Sequence, residues 1–380
     1  MNRTFATLLL LFLIFLVALP NRGRANEISE AIAPYFSPPS ELAGDFGNYE
    51  SPLVFKDGTK VKTSADWQRR RKEILQTWTG FMGDWPPLID NPKMEYLAKE
   101  RRENFIQYQV RVEIAPKGQT VDGYLLVPDG EKPLPAVIVV YYDAKTGIGL
   151  GREGRDFGYQ LAKRGFVALS IGTPEFASLK APYKPLYDWG EDDTPLQPLS
   201  ALAYVAANCH TAIANLPDVD PKRIAVMGHS YGGKWAMFAS CLYEKFACGV
   251  WSDPGIVFDE ERPNVNYWEP WYLGYDPNRQ RERGVPSADK PRTGPYEKMF
   301  LQGYDLHELH VLMAPRPFLV SGGAEDRPER WKPLNHSIEV NRLLGYKNRV
   351  AMTNRKTHGP TPESNEQIYA FLEHSLSACR

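Results

Sequence analysis

What the chain has little of narrows the reading first. Its 380 residues hold four cysteines. These stand at positions 209, 241, 248 and 379, and their spacing follows no zinc-binding pattern. An oxidising compartment would permit disulfides, and four cysteines allow three full pairings among which sequence does not choose. Cys209 and Cys241 lie on apolar helical stretches, so buried free thiols are the alternative. Charge of one sign is also lacking. Lys and Arg number 45 against 46 Asp and Glu, a formal net charge of −1, which gives no electrostatic case for nucleic acid or an anionic membrane as partner. No internal repeat or low-complexity segment is visible. Beyond residue 19 no apolar run approaches the ~20 residues that a spanning helix needs.

The single long apolar run is Leu8 to Leu19, preceded by Arg3 and ended by Pro20. Gly23-Arg24-Ala25 then supplies small residues around a cut before Asn26. This is the pattern of a signal peptide over residues 1–25, too short for a transmembrane helix, with an uncleaved anchor as the alternative. No cysteine follows the run, which argues against a lipoprotein anchor. The mature chain, 26–380, is expected to be a single secreted or periplasmic domain with no membrane contact beyond its signal. What the chain does have is 32 prolines and 12% aromatic residues. These suit stiff loops that wall a cleft.

From residue 26 to about 100 the chain is a Pro-, Gly- and aromatic-rich extension with one helix expected at Ala65–Trp78. After it, strands and helices alternate. Strands are expected at Asn104–Ile114, Val121–Val127, Ala136–Tyr142, Phe166–Ser170, Arg223–Met227, Ala247–Trp251, Pro317–Ser321 and Val350–Thr353. Helices are expected at Phe157–Arg164, Leu199–Asn215, Tyr231–Lys245, Pro333–Leu344 and Pro362–Leu376. Such alternation predicts an α/β fold with a mostly parallel central sheet and helices on both faces. Two stretches interrupt it: a proline- and acid-rich loop, Gly172–Pro198, and a long aromatic-rich insertion, Asp253–His310, after the sixth expected strand. Both follow strands, so both should emerge at the carboxyl edge of the sheet, where ligands bind in open α/β folds.

The decisive motif is Gly228-His229-Ser230-Tyr231-Gly232-Gly233, placed between an expected strand and an expected helix. It fits G-x-S-x-G, in which a serine is forced into a strained strand-to-helix turn that pushes its hydroxyl into the cleft. A serine needs a base and an orienting acid, which follow in the order acid, then histidine. Asp326, in the turn after the Pro317–Ser321 strand, is the first choice of acid; Asp253, after the strand ending at Trp251, and Glu325 are its rivals. His358, in the loop before the last helix, is the expected base. His229 is too near Ser230 in sequence to reach it easily, and His210, His336 and His374 fall within expected helices. The oxyanion hole should pair the backbone N–H of Tyr231 with one near Tyr142 or Asp143. His307-Glu308-Leu309-His310 is one residue short of the H-E-x-x-H spacing, and no third ligand is evident, so no metal and no cofactor are expected.

With these residues in view, the chain resembles the α/β-hydrolase superfamily over roughly residues 100 to 376. Within it the chain is similar to secreted carbohydrate esterases: acetyl xylan esterases, glucuronoyl esterases and dienelactone-hydrolase-like proteins. The motif through Lys234, the run Ala314-Pro315-Arg316-Pro317-Phe318 and the late His358 carry the likeness. It implies an α/β-hydrolase fold and an esterase acting on a small-molecule or polysaccharide ester. Glucuronoyl esterases carry a sugar-contacting lysine four residues after the serine, where Lys234 stands. They also carry an oxyanion-supporting arginine directly after it, where this chain has Tyr231. Lys234 is read as substrate-binding on that basis, with a solvated lysine or a partner of Asp253 as alternatives. Trp268 and Trp271 are read as sugar-stacking rings, with Tyr267, Tyr272 and Tyr275 beside them; a local aromatic core is the alternative. Two other functions compete. A peptidase of the prolyl-oligopeptidase type shares the order of the triad, but only about 75 mature residues precede the first expected strand, too few for a propeller. A binding protein on a retired hydrolase fold is opposed by the complete set of Ser230, Asp326 and His358.

Overall fold

The structure is a computed structural model that describes residues 30–174, 196–259, 261–262, 264–269, 271–274 and 294–377. The expected signal peptide, Tyr275 and Cys379 lie outside the described residues. In chain order the elements are α1 (Ser64–Met82), β1 (Met94–Arg102), β2 (Phe105–Ala115), β3 (Gln119–Pro128), β4 (Leu134–Val140), α2 (Ala144–Gly147), α3 (Phe157–Lys163), β5 (Val167–Ile171) and α4 (Pro198–Ala214). They continue with β6 (Val219–His229), α5 (Tyr231–Leu242), β7 (Cys248–Ser252), α6 (Gly294–Leu301), α7 (His307–His310), β8 (Phe318–Gly322), α8 (Trp331–Leu343), β9 (Val350–Asn354) and α9 (Pro362–Ser377).

Among the described residues nine strands form one sheet in the order β1-β2-β3-β5-β4-β6-β7-β8-β9. From β5 to β9 every pairing is parallel, while β1, β2 and β3 pair antiparallel and β3 meets β5 antiparallel. The parallel strands are short apolar runs buried on both faces, as helices on both sides require; β5, β7 and β8 are buried at every residue.

β1 has no counterpart among the expected strands, so the insertion follows the seventh strand and not the sixth. Its sequence, Met-Glu-Tyr-Leu-Ala-Lys-Glu-Arg-Arg, lacks a buried face: all but its two end residues are exposed. It is an edge strand whose charges discourage further pairing, and such a strand carries no apolar alternation to read.

Helix α1 starts at a capping box. The Thr63 hydroxyl accepts from Asp66 N at 3.0 Å, and the Asp66 carboxylate accepts from Thr63 N at 3.1 Å. Its buried residues, Trp67, Arg70, Ile74, Trp78 and Met82, recur every three or four positions, so one stripe faces the core. Burying each of the large apolar side chains contributes roughly 1.5–3 kcal/mol. Helix α4 is mostly apolar and buried along nearly its whole length, Ser200, Asn208 and His210 included. It therefore acts as core beside α5, the helix that carries the serine motif. Cys209 and Cys241 are buried free thiols on these two helices, and burial pushes the Cys209 thiol up to about 12.

Candidate active site

Strand β6 ends at His229 and helix α5 begins at Tyr231, leaving Ser230 alone in the turn. Its backbone stands at φ 57°, ψ −114°, a conformation costly for a side-chain-bearing residue. Two glycines make the turn feasible. A Cβ on Gly228 would lie 2.2 Å from the Gly232 carbonyl oxygen, and one on Gly232 would lie 2.1 Å from that of Val140. The turn is tied across the sheet by Ser230 N donating to Ser252 O at 2.8 Å. The strand–turn–helix context read from sequence is thus present.

The Ser230 hydroxyl lies 2.8 Å from His358 Nε2, and His358 Nδ1 lies 2.7 Å from Asp253 Oδ2. This corrects the first choice of acid. Asp253, the rival, faces the histidine. Asp326 does not: its Oδ1 accepts from Ile256 N at 2.7 Å and its Oδ2 from Gly255 N at 2.8 Å. Asp253 in turn accepts from Asp326 N at 2.8 Å and Glu325 N at 3.2 Å through Oδ1. The two acid loops therefore interlock, each carboxylate holding backbone amides of the other. The physical reason for the exchange lies in Asp253 itself. At φ 51° it begins a sharp Asp-Pro-Gly turn after β7, which carries its carboxylate across to β9's loop. Asp326 is held above the ordinary carboxylate value, by burial first and by the charge of Asp253 second. Glu325 turns away, accepting from Asn264 Nδ2 at 2.8 Å.

His358 is partly open, with 27% of its side chain exposed, whereas Asp253 is sealed. The base thus meets the cleft and the acid meets only protein. His229 packs 4.9 Å from the His358 ring and contacts Ser252 O through Nδ1 at 3.1 Å. Burial and the neighbouring His358 push its basicity well down, so it stays neutral beside the site. His210, His336 and His374 lie on α4, α8 and α9, away from Ser230.

Tyr231 N is the first amide of α5, and Tyr142, two residues past β4, stacks its ring on that of Tyr231 at 4.6 Å and 14°. The chain at Tyr142 and Asp143 is therefore brought beside the start of α5, where the sequence placed the second oxyanion donor. Asp143 caps α2, its carboxylate accepting from Thr146 N at 2.8 Å.

Lys234 is not presented to an open cleft. Its ammonium is buried and donates to Pro254 O at 2.5 Å and Asn264 O at 2.6 Å. It also lies 4.9 Å and 5.3 Å from the ring centres of Tyr267 and Tyr272. Burial lowers its pKa to about 8 against the pull of Asp326, Glu325 and Asp253. The lysine read as sugar-binding braces the loop after Asp253 through Pro254 O and Asn264 O. Lys234→Met should leave the buried Pro254 carbonyl without its donor, costing about 1–3 kcal/mol. The expected result is a lowered Tm with the KM for a small ester within twofold of wild type; a KM rise at unchanged Tm would restore the sugar-binding role.

The aromatic insertion also differs from expectation. Tyr267, Tyr272, Phe258 and Tyr296 pack in a chain of ring contacts between 5.0 and 6.1 Å. Trp268 is only 8% exposed, so little of its ring faces outward; Trp271 is partly exposed and edges onto Tyr272. Within the described part of the insertion these rings form a local core. His307, Glu308 and His310 diverge in the same way: His307 bonds Glu50 O at 2.8 Å, Glu308 pairs with Arg70 at 3.1 Å, and His310 packs on Trp251.

Comparisons with known proteins show what the chain is similar to. Residues 205–328 match the prolyl oligopeptidase family, a span that contains Ser230, Asp253 and Asp326 and covers about a third of the chain. A 4-O-methyl-glucuronoyl methylesterase of Schizophyllum commune is 24% identical over 208 residues, 54% of this chain and 49% of that protein, so the chain matches about half the length of that relative. A carbohydrate esterase from an unknown prokaryotic organism is 22% identical over 331 residues, 73% of each chain. Among solved structures, a glucuronoyl esterase from Solibacter usitatus superposes with a TM-score of 0.68 at 19% identity, covering 87% of this chain and 98% of that one. A carbohydrate esterase family 15 glucuronoyl esterase from Caldicellulosiruptor kristjansonii gives 0.59 at 20% identity, covering 90% and 93%. A parallel sheet flanked by helices, a strained serine turn between β6 and α5, and solved likenesses that span nearly the whole chain lead to one conclusion: the chain has the α/β-hydrolase fold.

Proposed function

We propose that the protein is a serine hydrolase that cleaves carboxylic esters of carbohydrates, acyl or uronate, through an acyl-enzyme on Ser230. One observation carries the reading: the unbroken hydrogen-bonded line from Ser230 Oγ through His358 to Asp253, at 2.8 and 2.7 Å. In the first half-reaction His358 Nε2 takes the hydroxyl proton as Oγ attacks the ester carbonyl. The oxygen that gains charge is received by Tyr231 N–H and an amide at Tyr142 or Asp143. His358 returns its proton to the departing alcohol, leaving the acyl group on Ser230. Water, deprotonated by the same histidine, then releases the acid and restores the serine. Asp253 holds Nδ1–H throughout and stabilises the imidazolium.

The choice of carbohydrate esters is supported by the names of the relatives and solved likenesses, all esterases of that kind. The site of action is proposed to lie outside the cytoplasm, on the strength of the apolar run Leu8–Leu19; among the described residues no helix is long and apolar enough to cross a membrane. The test is a substrate panel of p-nitrophenyl acetate, acetylated xylan, a methyl glucuronate ester and peptide amides, compared by kcat/KM. Esters should lead, with one of the two sugar esters preferred. The match to prolyl oligopeptidases supplies the rival outcome. Peptide cleavage with no preference for esters would overturn the esterase reading while leaving the triad in place.

A further inference from the structure

Arg355 stands one residue beyond β9 and belongs to no motif. Its guanidinium is spent entirely on oxygen atoms of three chain segments. Nε donates to Gly359 O at 2.9 Å, and Nη2 donates to His358 O at 2.7 Å and Ser252 Oγ at 3.4 Å. Nη1 reaches Ser321 O at 2.8 Å, Ser321 Oγ at 3.1 Å and Gly322 O at 3.2 Å. The segments are the loop that carries the base, the end of β7 directly before Asp253, and the end of β8. A guanidinium has five N–H donors in a rigid fork, and here every nitrogen is engaged, so none is left for a substrate. Arg355 is largely buried, and among the described residues no carboxylate lies within ion-pair distance of it. Burial draws its pKa down, while Asp253 and Asp326 act on it from further off and Arg155 repels it. A cation placed so is costly unless hydrogen bonds satisfy its donors, as they do here.

What they hold is the base. Ser230 rides on the β6–α5 turn, Asp253 on the loop after β7, and His358 on the loop between β9 and α9. Only the proper placement of that loop brings Nε2 and Nδ1 to their partners together. We propose that Arg355 is a positioning residue: it fastens the His358 loop to the carboxyl ends of β7 and β8 and so fixes the base between nucleophile and acid. The inference rests on the hydrolase reading above. A lysine there would keep the charge but offer three donors from one point, which cannot span three segments.

The experiment measures p-nitrophenyl acetate hydrolysis by wild type, Arg355→Lys and Arg355→Ala, with kcat expressed per serine titrated by a fluorophosphonate. Misplacing a reacting group by about 1 Å costs on the order of 100-fold. Arg355→Ala should therefore lose about 100-fold in kcat per titrated site with KM nearly unchanged. Arg355→Lys should recover little of this, and added guanidinium ion should restore the alanine variant better than methylammonium. If Arg355→Ala does not fold, the lysine variant decides by the same readout. A lowered Tm with wild-type kcat per titrated site would make Arg355 merely structural, and a rise in KM alone would make it a substrate ligand; either overturns the proposal. Wild type that neither labels nor turns over removes the hydrolase reading itself, and this inference with it.

Discussion

Ser230→Ala should abolish labelling by a fluorophosphonate and lower kcat for the best ester of the panel by about 10⁶-fold, the loss known when the serine of a triad is removed. The substitution is unusually clean here. The turn keeps its shape because its geometry rests on Gly228, Gly232 and the Ser230 N to Ser252 O bond, none of which uses the hydroxyl. Alanine meets the same backbone strain as serine at φ 57°, so Tm should shift by only a few degrees. The lost group is the one that donates to His358 Nε2. Persistent labelling of the alanine variant would mean another nucleophile and would refute the assignment of Ser230.

Much of this site is legible in sequence for a physical reason: its serine and base are set by local constraints. A strand ending in Gly228-His229 and a helix opening with Tyr231-Gly232-Gly233 force Ser230 into the tight turn between them. His358 sits in the loop between the last strand and the last helix, and a loop fixed at both ends has few places to go. The acid is different. Asp253 and Asp326 end neighbouring strands at the same edge, and both loops turn inward. Which carboxylate reaches His358 depends on a backbone angle at Asp253 and on amides donated across the gap, and sequence encodes neither in any short pattern. Lys234 and Trp268 are buried for the related reason that neighbouring residues of the chain pack over them. Their residue types suit a sugar, but their surroundings are chosen by tertiary packing. Strand β1 escapes because an edge strand guarded by charge shows no alternation. Arg355 escapes because a positioning arginine has no motif; its meaning exists only once three strand ends are brought together.

The interlocked acids yield the second large effect, and the contrast between them is the informative quantity. Asp253→Asn should lower kcat by about 10⁴-fold. An asparagine amide facing His358 Nδ1 favours the tautomer that carries its proton on Nε2, and that nitrogen then cannot accept from Ser230. Asp326→Asn should cost far less in kcat, because Asp326 touches backbone amides and not the imidazole. Its cost falls on stability. One of the two amide bonds is replaced by a donor facing a donor, an unpaired buried group worth about 1–3 kcal/mol. The pH dependence separates the roles further. Because Asp326 is raised above the ordinary value of 3.8, the folded state binds its proton more tightly than the unfolded state does. Its contribution to stability therefore falls as pH rises from the ordinary value through the raised one, and it is most favourable in acid. Asp326→Asn should erase that part of the pH dependence, seen as a flatter Tm profile through this interval. Equal loss of kcat in the two variants would return Asp326 to the catalytic role that its place in the motif order suggests. A wild-type-like Asp253→Asn would break the line from Ser230 to its acid.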